Sequence, residues 1–325
     1  MDIDAKLRPL YLLQILQERT DEDNYLTTTQ LASILKQRYG MEPHRTTIKG
    51  DIEVLQQAGF GIDERRSTQN QYRYLEREFE IAELKTIIDA IASSKFIPEE
   101  KSDALIKKVT ALAGIYKARD LKRNVVADGR GKLENKQIFY IIDTINEAIN
   151  QHKKIRFRKI EYNVKKERVL HHGGEKYTFS PYSLVWDGDN YYVVGYSDKY
   201  ENIGSHRVDR IAEQPEILDE PAVPPKAGFS VEKYVKTTFR MYNAPRKEVE
   251  LLCDNGVMDA IIDQFGPDVH TYAGDLQNFR VIEEVAVGKV FFNWIFGFEG
   301  KVRIKAPADV KEQYRQMVEN AAKVL

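Results

Sequence analysis

Seven consecutive residues, Ser205 to Ile211 (SHRVDRI), bring together two arginines, a histidine and an aspartate. Arginine offers a planar fork of N–H donors that matches the oxygens of phosphate or carboxylate. Arg207 and Arg210 could therefore clamp an anion. On a strand, side chains alternate between faces, so His206, Val208 and Arg210 fall on one side and Arg207 and Asp209 on the other. Val208 is the natural core residue. That choice directs Arg207 outward, leaves His206 half-buried as a packing residue more than a ligand, and brings Arg210 beside Arg207 only if a bulge or turn ends the strand. Tyr182 and Tyr192, in neighbouring strand-like runs, could supply a stacking surface or a hydroxyl donor. Arg156 and Arg158 in KIRFRKI add positive charge to the candidate ligand-binding set. The plain alternative is a surface pair between Asp209 and an arginine, worth about 0–1 kcal/mol.

A second group lies near the N-terminus, in HRTTIKGDIEVLQQAG. Ile48, Ile52 and Leu55 share one helical face, which turns Thr46, Lys49, Gly50 and Glu53 away from the core. His44 and Arg45 stand at the N-terminal end, where recognition helices touch base edges. Arg45 could hold a guanine bidentately, while Thr46, Thr47 and Lys49 reach phosphates or base edges. Thr29, opening the preceding helix, joins these candidate DNA contacts. Arg65, Arg66 and Arg73 on a predicted hairpin would contact the backbone or minor groove. Residues 36–73 carry 7 basic and 5 acidic side chains, so one copy should bind DNA weakly and a dimer reading two half-sites better. A module of the same shape used only for protein contacts is the alternative.

The elements that position these groups follow from pattern. Three helices and a short hairpin are expected over the first 75 or so residues, with threonines suited to an N-cap before LASILKQRY, a break at Gly40 and a stop at Gly59. FEIAELKTIIDAIASS and EEKSDALIKKVTALAGIY read as two helices, followed by a basic, glycine-containing joint, KARDLKRNVVADGRGKLENK. A helix, QIFYIIDTINEAINQHK, leads into an all-β stretch with a hairpin turn at DGDN, the pattern of a small bent barrel. PEILDEPAVPPKAG reads as a linker, and the last hundred residues as β-α-β-β-α-β-α. The aromatic cluster Phe291, Phe292, Trp294 and Phe296 suits a core or a dimer interface.

Composition sets the outer limits. The 325 residues suffice for two or three domains, and the net charge of −1 argues against a general nucleic-acid coat. Charge is uneven, however: residues 101–170 hold 18 Lys/Arg against 8 Asp/Glu. Such a segment points to a localised anion-facing surface. The polar start, MDIDAKLRPL, is no secretory signal, and Cys253 has neither a disulfide partner nor zinc-ligand company, so a reducing cytoplasm is expected. No apolar run approaches the roughly 18 residues of a membrane span. P-loop, GxGxxG and nucleophile–base patterns are lacking, and His171–His172 sits in a glycine turn without carboxylates at ligand spacing, so neither cofactor, metal nor catalysis is expected.

Two stretches resemble known families. RTTIKGDIEVLQQAGF resembles the recognition helix of DeoR-type winged-helix regulators, matching at Thr47, Ile48, Lys49, Asp51, Leu55, Ala58 and Gly59. Gly50 stands where a second arginine is usual, and the turn KQRYGMEPH is longer. SPYSLVWDGDNYYVVGYSDKYENIGSHRVDRI resembles the WYL domain: Tyr191, Tyr192 and Val193 take the place of the Trp-Tyr-Leu triplet, Pro181–Tyr182 precedes it, and Arg207, Asp209, Arg210 and Ile211 form the closing pattern. Lys159 occupies a position where an aromatic often occurs. DQFGPD, FFNWIFGF and KVRIKAP resemble the WYL C-terminal extension.

The resemblance implies an α+β multidomain chain: a winged helix-turn-helix over residues 1–76, a helical linker over 77–134, an Sm-like, SH3-type β-barrel over 135–217 and a ferredoxin-like α+β domain over 218–325. It further implies a cytoplasmic homodimeric transcriptional regulator that binds double-stranded DNA and senses an anionic effector, a nucleotide or single-stranded nucleic acid. Two other classes stay open: an Sm-like single-strand or RNA-binding module, and a nucleic-acid-processing enzyme.

Overall fold

The computed structural model describes residues 3–66, 68–123 and 137–324. The chain divides into two compact units, Met1–Glu134 and Asn135–Leu325.

In the first unit, helices α1 (Ile3–Arg19), α2 (Thr28–Tyr39) and α3 (Arg45–Gln57) enclose a core of Leu12, Ile15, Leu16, Leu31, Leu35, Ile48, Ile52 and Leu55. Thr27 caps α2 reciprocally: its hydroxyl accepts from Gln30 N at 3.2 Å, and Gln30 Oε1 accepts from Thr27 N at 2.8 Å. Gly40, at φ 70°, ends the helix in the left-handed region that favours glycine. Behind the helices, β1 (Leu26–Thr27), β2 (Ile62–Arg65) and β3 (Gln71–Tyr74) form an antiparallel sheet in the order β1-β3-β2, one strand more than the expected hairpin. Two residues are too few for a periodicity signal, which is why β1 is invisible in the sequence.

Helices α4 (Ile81–Ser93), α5 (Glu99–Ala111) and α6 (Gly114–Arg123) complete the unit. EEKSDALIKKVTALAGIY is therefore not one helix. Gly114, at φ 75°, breaks it, and Arg77 donates to Leu112 O at 3.1 Å, satisfying a carbonyl at the break. The start of the predicted flexible joint is helical to Arg123; its remainder, with the expected boundary at 134, lies outside the described residues.

The second unit opens with α7 (Ile138–Asn150), which buries Ile138, Ile141, Ile145 and Ala148 at helical spacing. Then come β4 (Lys153–Arg158), a two-stranded ribbon of β5 (Ile160–Tyr162) and β6 (Arg168–Leu170), β7 (Lys176–Asp187), β8 (Asn190–Ser197), β9 (Asn202–Arg207) and β10 (Glu216–Pro221). The main sheet runs β10-β4-β7-β8-β9. A register shift between Pro181 and Ser183 bends β7 against β8, and Gly195 is required there, since a Cβ would come 2.1 Å from Ser180 O.

Two expectations need correction. PEILDEPAVPPKAG is not all linker, because its first half is the edge strand β10, with Pro221 at the strand end where no ladder donor is needed. Nor does the sheet close into a barrel. After Arg207 the chain enters a 3₁₀ turn over Val208–Arg210, and Ile211 makes a single bridge to Lys159, so β9 and β10 both remain edges.

The C-terminal part holds α8 (Val231–Thr237), β11 (Arg246–Asp254), α9 (Met258–Phe265), β12 (Thr271–Ala273), β13 (Asn278–Ala286), α10 (Lys289–Phe296), β14 (Val302–Ala306) and α11 (Ala308–Ala322). The antiparallel sheet has the order β12-β13-β11-β14. Val249, Leu251 and Cys253 alternate into a core shared with Val281, Ile261, Phe291 and Phe292. Trp294 packs on that core, whereas Phe296 is exposed. Burial pushes the Cys253 thiol up to about 12, so it is inert packing.

Candidate functional site

The 3₁₀ turn after β9 decides the geometry of SHRVDRI. Strand alternation stops at Arg207, and the turn tucks Asp209 into the interior, 3 % exposed. Arg207 grips it bidentately, Nε to Oδ1 at 3.0 Å and Nη2 to Oδ2 at 2.9 Å. Arg210 approaches the same carboxylate, Nε to Oδ2 at 3.7 Å. Both guanidinium groups thus reach one side, each about one-third exposed. Two cations share one buried anion, so the cluster keeps a net positive charge toward solvent while the carboxylate fixes its geometry. Arg210 also lies over the ring of Tyr162, 4.8 Å from its centre, a contact that sequence spacing did not suggest.

The other candidate ligand residues separate. Arg156 pairs with Glu216 at 2.9 Å and Arg158 with Glu213 at 2.8 Å, both along the β4–β10 edge. Tyr192 is 7 % exposed in a cluster with Val194, Tyr234 and Met241, too buried to stack on a ligand. Tyr182 and His206 instead line a cleft of about 1270 Å³ that runs along the unpaired edge of β9, opposite the 223–246 segment. His206 packs against Phe179 and Phe157, with ring centres at 4.8 and 5.3 Å. Burial, helped by the charge of Lys159, holds its pKa at about 3, so the imidazole is neutral.

The cleft is braced by one side chain. Asn243 donates to Ser205 O at 2.9 Å and accepts from Ser205 N at 3.0 Å, in effect adding a strand residue to the β9 edge. Tyr234 OH donates to the same Asn243 oxygen at 3.0 Å. On the opposite wall Arg246 is satisfied by Glu284 and by the hydroxyls of Thr237 and Thr238.

In the first unit, α3 exposes Arg45, Thr46 and Lys49, with Thr47 partly covered. Arg45 makes no ion pair among the described residues, while Lys49 lies 3.7 Å from Glu53. His44 is the N-cap of α3: its Nδ1 accepts from Thr46 N at 3.4 Å and lies 2.9 Å from Thr46 Oγ1. A Cβ at Gly50 would meet nothing within 4 Å, so packing does not force the departure from arginine. Thr29 is exposed beside Gln69, at 3.3 Å. Arg65 and Arg66 project from the β2–β3 turn, Arg66 only 3.9 Å from Glu64. Arg73 differs from these. It pairs with Asp63 at 2.8 Å, donates to Glu22 O and covers Tyr25, its donors turned inward as a structural brace.

With this geometry in view, residues 140–216 match the WYL domain. Among solved structures, the chain is similar to proteasome accessory factor B/C (PafBC) of Arthrobacter aurescens, at 13% identity and a TM-score of 0.32. That alignment covers 96% of this chain and 48% of that one, so the chain spans about half the length of PafBC. It is also similar to a CRISPR Cas-related protein, at 14% identity and a TM-score of 0.37, covering 99% of this chain and 83% of that one. Among curated proteins none matches. No described helix is long and apolar enough to cross a membrane, and the described residues hold no cluster of three or more potential metal ligands.

Proposed function

We propose that the protein is a DNA-binding transcriptional regulator, not an enzyme, whose WYL domain responds to an anionic effector, a nucleotide or single-stranded nucleic acid. The observation that carries this is the convergence of Arg207 and Arg210 on buried Asp209. It makes a rigid, half-neutralised platform suited to phosphate oxygens. Three helices backed by a small antiparallel sheet, with Arg45 unpaired among the described residues at the start of α3, support a winged-helix reading in which α3 enters the major groove of duplex DNA. The bent sheet supports an Sm-like, SH3-type ancestry left open at β9. The C-terminal order β12-β13-β11-β14, crossed by α9 and α10, supports a ferredoxin-like domain. A homodimer would give a roughly palindromic operator two contacts, and the effector would act by binding two arrangements of the dimer unequally.

The test is an operator shift assay at several salt concentrations, with the operator first found by genomic footprinting. Arg45→Ala should weaken duplex binding about ten-fold or more and lower the salt slope by about one. Arg210→Ala should leave duplex binding within about two-fold while abolishing the response to an oligonucleotide effector. Loss of duplex binding in both variants would make Arg210 a DNA contact or a structural residue. A preference for single-stranded RNA over duplex would favour an RNA-binding module.

A further inference from the structure

The β5–β6 ribbon carries an exposed aromatic ring to the arginine pair. Tyr162 is 48 % exposed, with the Arg210 guanidinium over its ring, 4.8 Å from the centre. The backbone fixes this approach. Lys159 and Ile211 form an antiparallel bridge, and Ala212 N donates to Arg158 O at 2.9 Å. The start of the ribbon is thereby pinned beside the turn that holds Asp209 and Arg210. Across the ribbon, Arg168 stands in register with Tyr162, which puts the two side chains on one face. Arg168 is exposed and makes no ion pair among the described residues.

An open aromatic ring among guanidinium groups suits a chain of alternating bases and phosphates, the base against the ring and the phosphates on the cations. The ribbon's carboxylates are turned from it. Glu161 alternates to the other face, 3.8 Å from His171, and Glu167 accepts from Asn163 Nδ2 at 2.7 Å inside the turn. Lys165 and Lys166, exposed in that turn, add positive charge. The two tyrosines expected to stack do not serve: Tyr192 is buried, and the ring of Tyr182 packs toward Phe229, their centres 5.8 Å apart.

We propose that Tyr162 is the base-stacking residue of the effector site and Arg168 a further phosphate contact, so that the ligand is a single-stranded nucleic acid of more than one nucleotide. Arg207 and Arg210 take one phosphate, a base lies against Tyr162, and Arg168 meets a neighbouring phosphate. This rests on the reading of the arginine pair as an effector platform.

Fluorescence anisotropy of the full chain with a labelled DNA strand of about twelve residues, and with an abasic strand of the same length and charge, tests this. The base-bearing strand should bind about ten-fold or more tightly. Tyr162→Ala should erase that advantage and leave abasic binding within about two-fold, while Tyr162→Phe, which keeps the ring, should retain it. Arg168→Ala should lower the slope of log affinity against log salt by about 0.7, the share of one single-strand phosphate. Equal binding of the two strands overturns the inference, as does a preference that survives Tyr162→Ala or a salt slope unchanged in Arg168→Ala. Loss of abasic binding in Tyr162→Ala also overturns it and makes Tyr162 a structural residue. If Arg210→Ala abolishes binding of both strands and Tyr162→Ala changes neither, the effector platform stands and this inference alone falls. If neither variant affects either strand, both fall.

Discussion

Two groups of cations flank the end of β9, and they are held in opposite ways. Arg207 and Arg210 share the buried carboxylate of Asp209, so their geometry is set by the fold whether or not a ligand is present. Lys159, beside the neutral ring of His206, has no such partner among the described residues. Pairing gives position at the cost of field strength. Burial without pairing leaves the field uncompensated, and stability is lost. The first arrangement holds its cations in a fixed geometry; the second leaves a cation whose desolvation the neighbouring Tyr177 ring offsets only in part.

The contrast predicts opposite signs in stability. Arg207→Ala strands Asp209 with only the more distant Arg210, and should destabilise the second unit by about 3 kcal/mol. Lys159→Met replaces an unpaired half-buried cation with an apolar stem, and should be neutral or stabilising by up to about 1 kcal/mol. Urea unfolding of the two variants measures both. If Lys159→Met costs as much as Arg207→Ala, Lys159 has a structural counter-charge and the contrast fails.

A smaller effect tests the neutral histidine. Its folded pKa of about 3 lies below the ordinary histidine value of 6.5, so the unfolded chain binds a proton that the folded chain does not. His206 therefore leaves stability untouched above pH 6.5 and withdraws it as pH falls toward 3. At pH 5 the loss is about 2 kcal/mol. In His206→Phe, which retains a ring against Phe157 and Phe179, that part of the pH dependence should vanish from denaturation curves between pH 7 and 4. An unchanged slope would mean that the imidazole protonates freely at the cleft surface.

What could be read from sequence divides along a physical line. Ile48, Ile52 and Leu55 were legible because helical periodicity is local, and the same holds for α7 and for the alternating strands around Asp187–Asn190. Alternation also placed His206 among packing residues and made Arg210 conditional on a turn, and a 3₁₀ turn is what the structure has. The misses depend on distant partners. Nothing near Tyr192 in the chain announces Tyr234 and Met241, which bury it, and nothing near Arg73 announces Tyr25 and Glu22. In the sequence Lys159 is legible only as a departure from an aromatic position; its place over the Tyr177 ring depends on strand pairing.

The smallest effect probes the remaining arginines, which charge counting alone had placed with the ligand. Arg156 faces Glu216 directly across the β4–β10 pair, with Nη2 at 2.9 Å from Oε1, and both side chains are open to water. In that setting the attraction is screened and ordering two long side chains consumes much of it. Arg156→Ala should therefore shift the unfolding free energy by no more than about 1 kcal/mol. Effector response should stay at the wild-type level, because Arg156 makes no contact with the Asp209 cluster. A clear loss of effector response in this variant would extend the arginine platform along β4, whose end the Lys159–Ile211 bridge joins to the turn that carries Arg210.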